Sequence, residues 1–190
     1  MGNLSELTLK GPLIFADRMH TGNTVDVNVG AFIRQWVIAY THSDTIQLDK
    51  ATNLWAILKQ HLETIPEDGS QLPDRSEYIS IELLDPHNTE NYNLPSGRKL
   101  HMNTLYRCYI GPTGQAAIRR YLENQFRAHF RVYMTARFSD GSKEGIRHAI
   151  GSFLADYNLP IDDTIMGRLS KDWYRFRQKH GENYPITIFF

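Results

Sequence analysis

Cysteine is scarce in this chain, since Cys108 is the only one among 190 residues. A lone cysteine cannot form an intramolecular disulfide, and without a C-x-x-C pair a thiolate zinc site lacks its ligands. The alternation of the neighbouring residues places Cys108 on the inward side of a predicted strand, so we expect a buried, inert thiol. This cysteine usage is typical of a reducing compartment, and we expect a cytoplasmic protein.

Long apolar runs are missing as well. No stretch of the sequence approaches the roughly 18 consecutive apolar residues that a membrane span requires. Residues 1–6 are not a basic segment followed by an apolar one, as a secretion signal would be. We therefore expect neither a membrane partner nor a secretion signal.

An excess of one charge is also absent, because 21 Lys and Arg residues balance 21 Asp and Glu residues. The charges are nevertheless unevenly placed: residues 1–114 contain 9 basic and 13 acidic residues, and residues 115–190 contain 12 and 8, giving −4 and +4. Such segregation is consistent with a basic half that contacts nucleic acid, or with halves that attract each other within or between chains. The isoelectric point near 7.1 weakens the first interpretation, because dedicated DNA-binding domains are usually more basic.

Residues 1–65 predict strands followed by two helices. Residues 24–29 alternate valine with polar residues, as a half-buried strand does, and residues 7–15 form a candidate edge strand interrupted by a Gly-Pro pair. Helical spacing begins at Ala31, and Asp49 is a candidate N-cap for a second helix. The predicted buried face of the second helix consists of Leu54, Ile57, Leu58, Leu62 and Ile65.

The polar run 66–74 is the best candidate linker. It divides the chain into an N-terminal α+β portion, 1–65, and a second portion, 74–190, unless both belong to one continuous domain. Residues 78–84 and 99–110 each alternate as strands do, and we expect a hairpin between them.

Three helices are predicted after the hairpin, of which the first is long and starts near residues 111–114. The second spans about 142–157 and the third 163–180, and the apolar alternation of 184–190 predicts a terminal strand. The predicted fold class is therefore α+β, with N-terminal strands plus two helices, a central β-hairpin, a C-terminal three-helix segment and a short terminal strand.

The last predicted helix alternates basic and aromatic residues. At helical spacing, Ile165, Leu169, Trp173 and Phe176 share one face, and Arg168, Lys171, Arg175 and Lys179 share another. We expect Trp173 in the core. The cationic stripe on the other face can bind an anion, or it can be the solvated side of an amphipathic helix.

A second basic stripe lies on the long helix, where Arg120, Asn124, Arg127 and Arg131 recur on one side. Arginine is suited to bidentate phosphate contacts, so two stripes on two helices are predicted to form one patch. In the alternative interpretation, Arg127 pairs with Glu123 and the other arginines extend over apolar surface.

The last two helices have the outline of a helix-turn-helix, in which the second helix enters the major groove. This outline is common to adjacent helices in any α-rich domain. Asp162 and Asp163 stand at the end that would face the bases, where they repel phosphates but favour the helix dipole.

Signals of catalysis are weak. The turn 111–114 has the position of a phosphate-binding loop but lacks its Gly-Lys-Ser/Thr ending, and no Gly-x-Ser-x-Gly elbow is present. The metal-capable residues of one predicted loop and strand are Asp85, His87, Glu90 and His101. We expect no catalytic residue, metal or cofactor, with a hydrolase or nuclease as a minor alternative.

The sequence thus predicts a non-enzymatic binding protein whose basic C-terminal helices contact DNA, RNA or an acidic protein surface. The predicted binding residues are Arg120, Arg127, Arg131, Arg168, Lys171, Arg175 and Lys179. The alternative is a structural or assembly subunit, for example of a phage or mobile element, that forms homo-oligomers through its oppositely charged halves.

Overall fold

The structure is a computed structural model that describes residues 13–14, 24–64, 77–84, 108–139 and 145–180. Within these ranges it contains six strands and five helices and confirms the predicted α+β class. In chain order they are β1 (Leu13–Ile14), β2 (Thr24–Asn28), α1 (Ala31–Thr41), β3 (Thr45–Leu48), α2 (Asn53–Gln60), β4 (Leu62–Thr64), β5 (Tyr78–Glu82), β6 (Cys108–Ile110), α3 (Pro112–Ser139), α4 (Ile146–Asp156) and α5 (Asp163–His180).

A four-stranded sheet has the strand order β1-β3-β5-β2. Strand β5 pairs antiparallel with β2, where Val25 lies opposite Ile81, and parallel with β3, where Ile46 lies opposite the same residue. These three side chains are buried, so the alternation of apolar and polar residues defines the core face of the sheet. The two terminal positions of the sheet belong to β1 and β2.

The predicted central hairpin is wrong. Both edges of β5 are hydrogen-bonded to other strands, which leaves no edge for the strand predicted over 99–110. The described end of that strand is β6, which pairs antiparallel with β4 in a separate two-stranded sheet, with Ile110 opposite Leu62. Residues 85–107 lie outside the described ranges.

Helix α2 is shorter than its apolar pattern predicts. Its N-cap is Thr52, whose hydroxyl accepts a hydrogen bond from the Trp55 backbone N–H at 3.1 Å, and not Asp49. The Asp49 carboxylate instead accepts from the Ala51 backbone N–H and orders the preceding turn. Leu62 is buried, but it belongs to β4 and not to the helix. Its backbone pairs with β6 and does not continue the helix by another turn.

Helix α3 starts with Pro112, a residue suited to the first helical position. A Cβ atom on Gly114 would lie 2.6 Å from the Cβ of His61, so the glycine allows α3 to begin directly against the end of α2. A Cβ atom on Gly111 would lie 2.7 Å from the Glu63 carboxylate. These two contacts explain why glycines occupy the turn 111–114. The position of this turn between a strand and a helix would also suit a phosphate-binding loop.

The buried side chains form one hydrophobic cluster that includes residues of both predicted portions of the chain. Trp36 of α1, Phe130 of α3 and Phe153 of α4 are among its largest fully buried members. The linker proposed at 66–74 and the strand predicted at 184–190 fall outside the described residues. In the part of the chain that is described, no helix combines the length and apolar character needed to cross a membrane.

Candidate functional site

Helix α5 presents an apolar face to the core and a cationic face outward. Met166, Leu169 and Trp173 are buried, and the 4% exposure of Trp173 confirms the prediction that this residue belongs to the core. The Trp173 ring stacks between Phe138 and Phe176, with centroid distances of 6.1 and 5.7 Å. The exposed face carries Arg168, Lys171, Arg175 and Lys179.

An ion pair joins this helix to α3. The Nε and Nη2 atoms of Arg131 donate to the two carboxylate oxygens of Asp172, at 2.9 and 2.6 Å. The guanidinium of Arg131 also lies 5.2 Å from the centroid of the Phe176 ring. Arg131 is one of the predicted binding residues, and in the structure the Asp172 carboxylate balances its charge.

A groove of about 440 Å³ lies between the start of α1, the first half of α3 and the outer side of α5. We call it the cationic groove because five basic side chains line it. They are Arg119 and Arg127 of α3 and Arg168, Lys171 and Arg175 of α5. The two carboxylates in its lining belong to Glu123 and Asp172, and the latter is already paired with Arg131. Electrostatic potential in the groove is therefore expected to be positive.

The structure brings four of the seven predicted residues together in this groove, which are Arg127, Arg168, Lys171 and Arg175. Arg120 instead lines a neighbouring depression of about 510 Å³. Lys179 continues the stripe along α5 one turn beyond Arg175, outside the groove lining. The two stripes thus converge over part of their length, at the place where α3 and α5 are linked.

The groove cations have no carboxylate partners among the residues that the structure describes. In particular, the alternative pairing of Arg127 with Glu123 is not formed. Arg127, Arg168, Lys171 and Arg175 are exposed to solvent. These four charges are therefore available to a ligand without breaking an ion pair within the described part of the chain.

Arg119 was missed by sequence reasoning, because it stands beside Arg120 and outside the predicted stripe. Its Nη2 atom donates to the Asn28 side-chain oxygen at 3.3 Å. The same atom would lie 2.6 Å from a Cβ atom placed on Gly30, which also has a φ of 79°. The glycine before α1 is the sequence signal that could have indicated this close approach.

The start of α1 contributes to the electrostatics of the groove. Its N-cap is Gly30, which has no side chain to cap the helix, and its first turn carries no acidic residue. Gly30, Ala31, Phe32 and Ile33 line the groove, so the positive end of the helix dipole points toward the same space as the cations. The arrangement is suited to binding anionic groups.

At the end of α5 that a helix-turn-helix would present to bases, both acids contact other groups of the protein. The Asp162 carboxylate accepts from the Ile165 backbone N–H at 2.8 Å and thereby caps the helix. Asp163 forms an ion pair with Arg147 of α4 at 2.5 Å. Asp162 therefore has a structural role as a cap, whereas the ion pair of Asp163 is exposed to solvent.

His129 of α3 lies among aromatic rings of α1 and of α4 with its C-cap residue Tyr157. Trp36 Nε1 donates to His129 Nδ1 at 3.3 Å, so the proton of the neutral ring is on Nε2, which lies 2.9 Å from the Tyr157 hydroxyl. Burial lowers the pKa of His129 to about 4. The neutral imidazole thus connects three helices of the core.

Among the described residues, no group of three or more metal-ligating side chains is close enough to hold an ion. The predicted candidates Asp85, His87, Glu90 and His101 lie outside the described ranges. Comparison of the chain with protein-family models, with curated proteins and with solved structures gives no match.

Proposed function

We propose that the protein is a non-enzymatic binding protein that holds nucleic acid by its phosphate backbone in the cationic groove. The observation that carries the proposal is the set of five cations, from two helices, that share one concave surface and have no carboxylate partner among the described residues. Phosphates are the anions that a chain of such charges meets at regular intervals in a nucleic acid.

The regular spacing of the groove cations suits a chain of phosphates. Four of the five cations are arginines, whose planar guanidinium can bind a phosphate, as it can a carboxylate, through two parallel hydrogen bonds. Arg168, Lys171 and Arg175 are three or four residues apart on α5, so their Cα atoms follow one another at about 4.5–6 Å along the helix axis. A linear polyanion can contact all three at once.

Contacts of this kind position a nucleic acid but do not specify its sequence. The acids at the start of α5 are held by a backbone amide and by Arg147, and they disfavour insertion of that end into a major groove. Binding in our proposal is therefore insensitive to sequence, and its affinity falls steeply as salt rises because counterions are released.

The test is a titration of labelled DNA followed by fluorescence anisotropy over a series of salt concentrations. In the variant K171E/R175E, two groove cations become anions while the buried residues of α5 are unchanged. We expect affinity to collapse, and the slope of log K against log salt to flatten by about 0.7 to 0.9 for each phosphate that the variant no longer neutralises.

The matched control is K50E/K59E, which changes net charge equally. Lys50 and Lys59 lie in the acidic half of the chain, and neither lines the cationic groove or its neighbouring depression. We expect this control to bind DNA nearly as the unmodified protein does. Equal losses of affinity in the two variants would mean that overall charge, and not the groove, determines binding.

Absence of binding to both DNA and RNA at low salt would overturn the proposal, because nonspecific electrostatic binding is strongest there. Binding of an acidic polypeptide instead would indicate a protein partner for the same groove. Growth of the sedimentation coefficient with protein concentration would indicate assembly through the oppositely charged halves.

A further inference from the structure

One aromatic side chain stands out on the outward side of α5. Tyr174 is 63% exposed, the highest value among the large hydrophobic and aromatic residues of the described chain. Gln178 Nε2 donates to its hydroxyl at 2.9 Å, which restrains the side chain. No other aromatic ring of the described residues packs against the Tyr174 ring, so its faces are available to a planar ligand.

The position of Tyr174 relates it to the groove cations. It is three residues after Lys171, so it lies beside this groove cation on the surface of the helix, although it does not itself line the groove. The buried residues Leu169 and Trp173 lie on the other side of α5. A phosphate backbone that follows the cations would therefore carry its bases within reach of the Tyr174 ring.

We infer that the outward face of α5 binds a single-stranded nucleic acid, with phosphates on Arg168, Lys171 and Arg175 and one base stacked on Tyr174. This inference rests on the proposed function and narrows its ligand class. Proteins that bind single strands combine a positive groove with exposed aromatic side chains, because every base offers a face for stacking.

A duplex is a poorer fit to the same surface. Its bases are stacked on one another and paired, so an exposed ring on a helix face cannot reach them without unstacking a step. The part of α5 that could enter a duplex groove carries Asp162 and Asp163. The stacking ring and the cations are located farther along the helix.

The experiment compares two probes, labelled oligo-dT and the duplex of the same oligo-dT with oligo-dA, by anisotropy. The variants are Y174A, Y174F, which keeps the ring, and I161A. Ile161 is the matched control because it is 60% exposed and does not line the groove.

We expect the unmodified protein to prefer the single strand, and Y174A to bind that strand about 5- to 150-fold more weakly. Stacking releases no counterions, so the salt slope of Y174A should equal that of the unmodified protein. Y174F and I161A should bind as the unmodified protein does. Affinity of Y174A for the duplex should stay unchanged.

Two results separate failure of this inference from failure of the proposed function. If both probes bind equally and Y174A behaves as the unmodified protein does, the groove binds nucleic acid but the stacking assignment is wrong. If neither probe binds at low salt, the proposed function itself is overturned, and with it this inference. An equal reduction of affinity in Y174A and I161A would also overturn the stacking assignment.

Discussion

Arg131 and Asp172 form a bidentate ion pair between α3 and α5, with N–O distances of 2.9 and 2.6 Å, and Asp172 also lines the cationic groove. Both side chains are partly exposed, at 34% and 24%. The pair links the two helices that carry the basic stripes, and Asp172 balances the charge of Arg131, one of the predicted binding residues.

Replacing either partner of this pair should lower stability in the same way but change DNA binding in opposite directions. D172N and R131Q each break the pair, and we expect each to lower the free energy of unfolding by about 1–3 kcal/mol in urea denaturation. Binding should respond in opposite directions, because D172N removes a groove carboxylate and releases a cation, whereas R131Q removes the cation. We expect D172N to bind DNA roughly 5-fold more tightly and R131Q to bind it more weakly. Parallel changes in binding would contradict this role.

Trp173 should be a major contributor to stability. Its ring is buried between Phe138 and Phe176, so W173A should cost about 3–5 kcal/mol in denaturant melts. The neighbouring Tyr174 is exposed, and Y174A should change stability by less than about 0.5 kcal/mol. A cost below about 1 kcal/mol for W173A would show that the indole is not a core residue in solution.

His129 should make stability depend on pH. Burial lowers its pKa in the folded protein to about 4 from an ordinary value of 6.5, so between these values the unfolded chain binds more protons. The stability contributed by the neutral ring is complete above about pH 6.5 and falls as pH drops toward 4, by about 3 kcal/mol at most.

The matched variant for this effect is H129Q, in which the amide can accept from Trp36 and donate to Tyr157 without titrating. Unfolding free energies measured in urea near neutral pH and at about pH 4.5 should differ less for H129Q than for the unmodified protein. An identical difference in both proteins would assign the pH dependence to carboxylates elsewhere.

The helices were the most predictable part of the fold. In a long segment, apolar residues spaced at a period of 3.6 indicate which side of the helix is buried. Ile118, Leu122 and Phe126 of α3 are an example. Strand pairing was not predictable, because the partners of β5 come from distant parts of the chain. Strand β3 was missed although its four residues alternate, since so short a pattern has little statistical weight.

The residues of the candidate site that belong to a stripe on a single helix were predictable from the sequence. Arg127, Arg168, Lys171 and Arg175 belong to stripes that the sequence displays, and the structure places them together. Internal pairing of Arg131 and the approach of Arg119 to Gly30 depend on how α1, α3 and α5 are arranged in space. No pattern within a single helix contains that information.

Gly114 should tolerate no side chain. A Cβ atom there would lie 2.6 Å from His61 Cβ and 2.7 Å from Ile110 Cγ2, so we expect G114A to lower stability by about 1–3 kcal/mol despite the better helix propensity of alanine. The control is G167A, because nothing lies within 4 Å of a Cβ at that position of α5. G167A should stabilise by about 0.5–1 kcal/mol. Equal thermal unfolding of the two variants would contradict the close packing inferred at Gly114.

Arg175 and Lys179 provide the finest test of where the ligand lies. Both are exposed cations one turn apart on the same stripe, but only Arg175 lines the cationic groove. Because exposed charges contribute little to stability, R175E and K179E should unfold like the unmodified protein. If the groove holds the phosphates, R175E should weaken DNA binding and flatten its salt dependence more than K179E does, since Lys179 reaches at most the end of the bound strand. Equal effects on both quantities would mean that the ligand follows the whole length of α5 and that the groove is not its principal site.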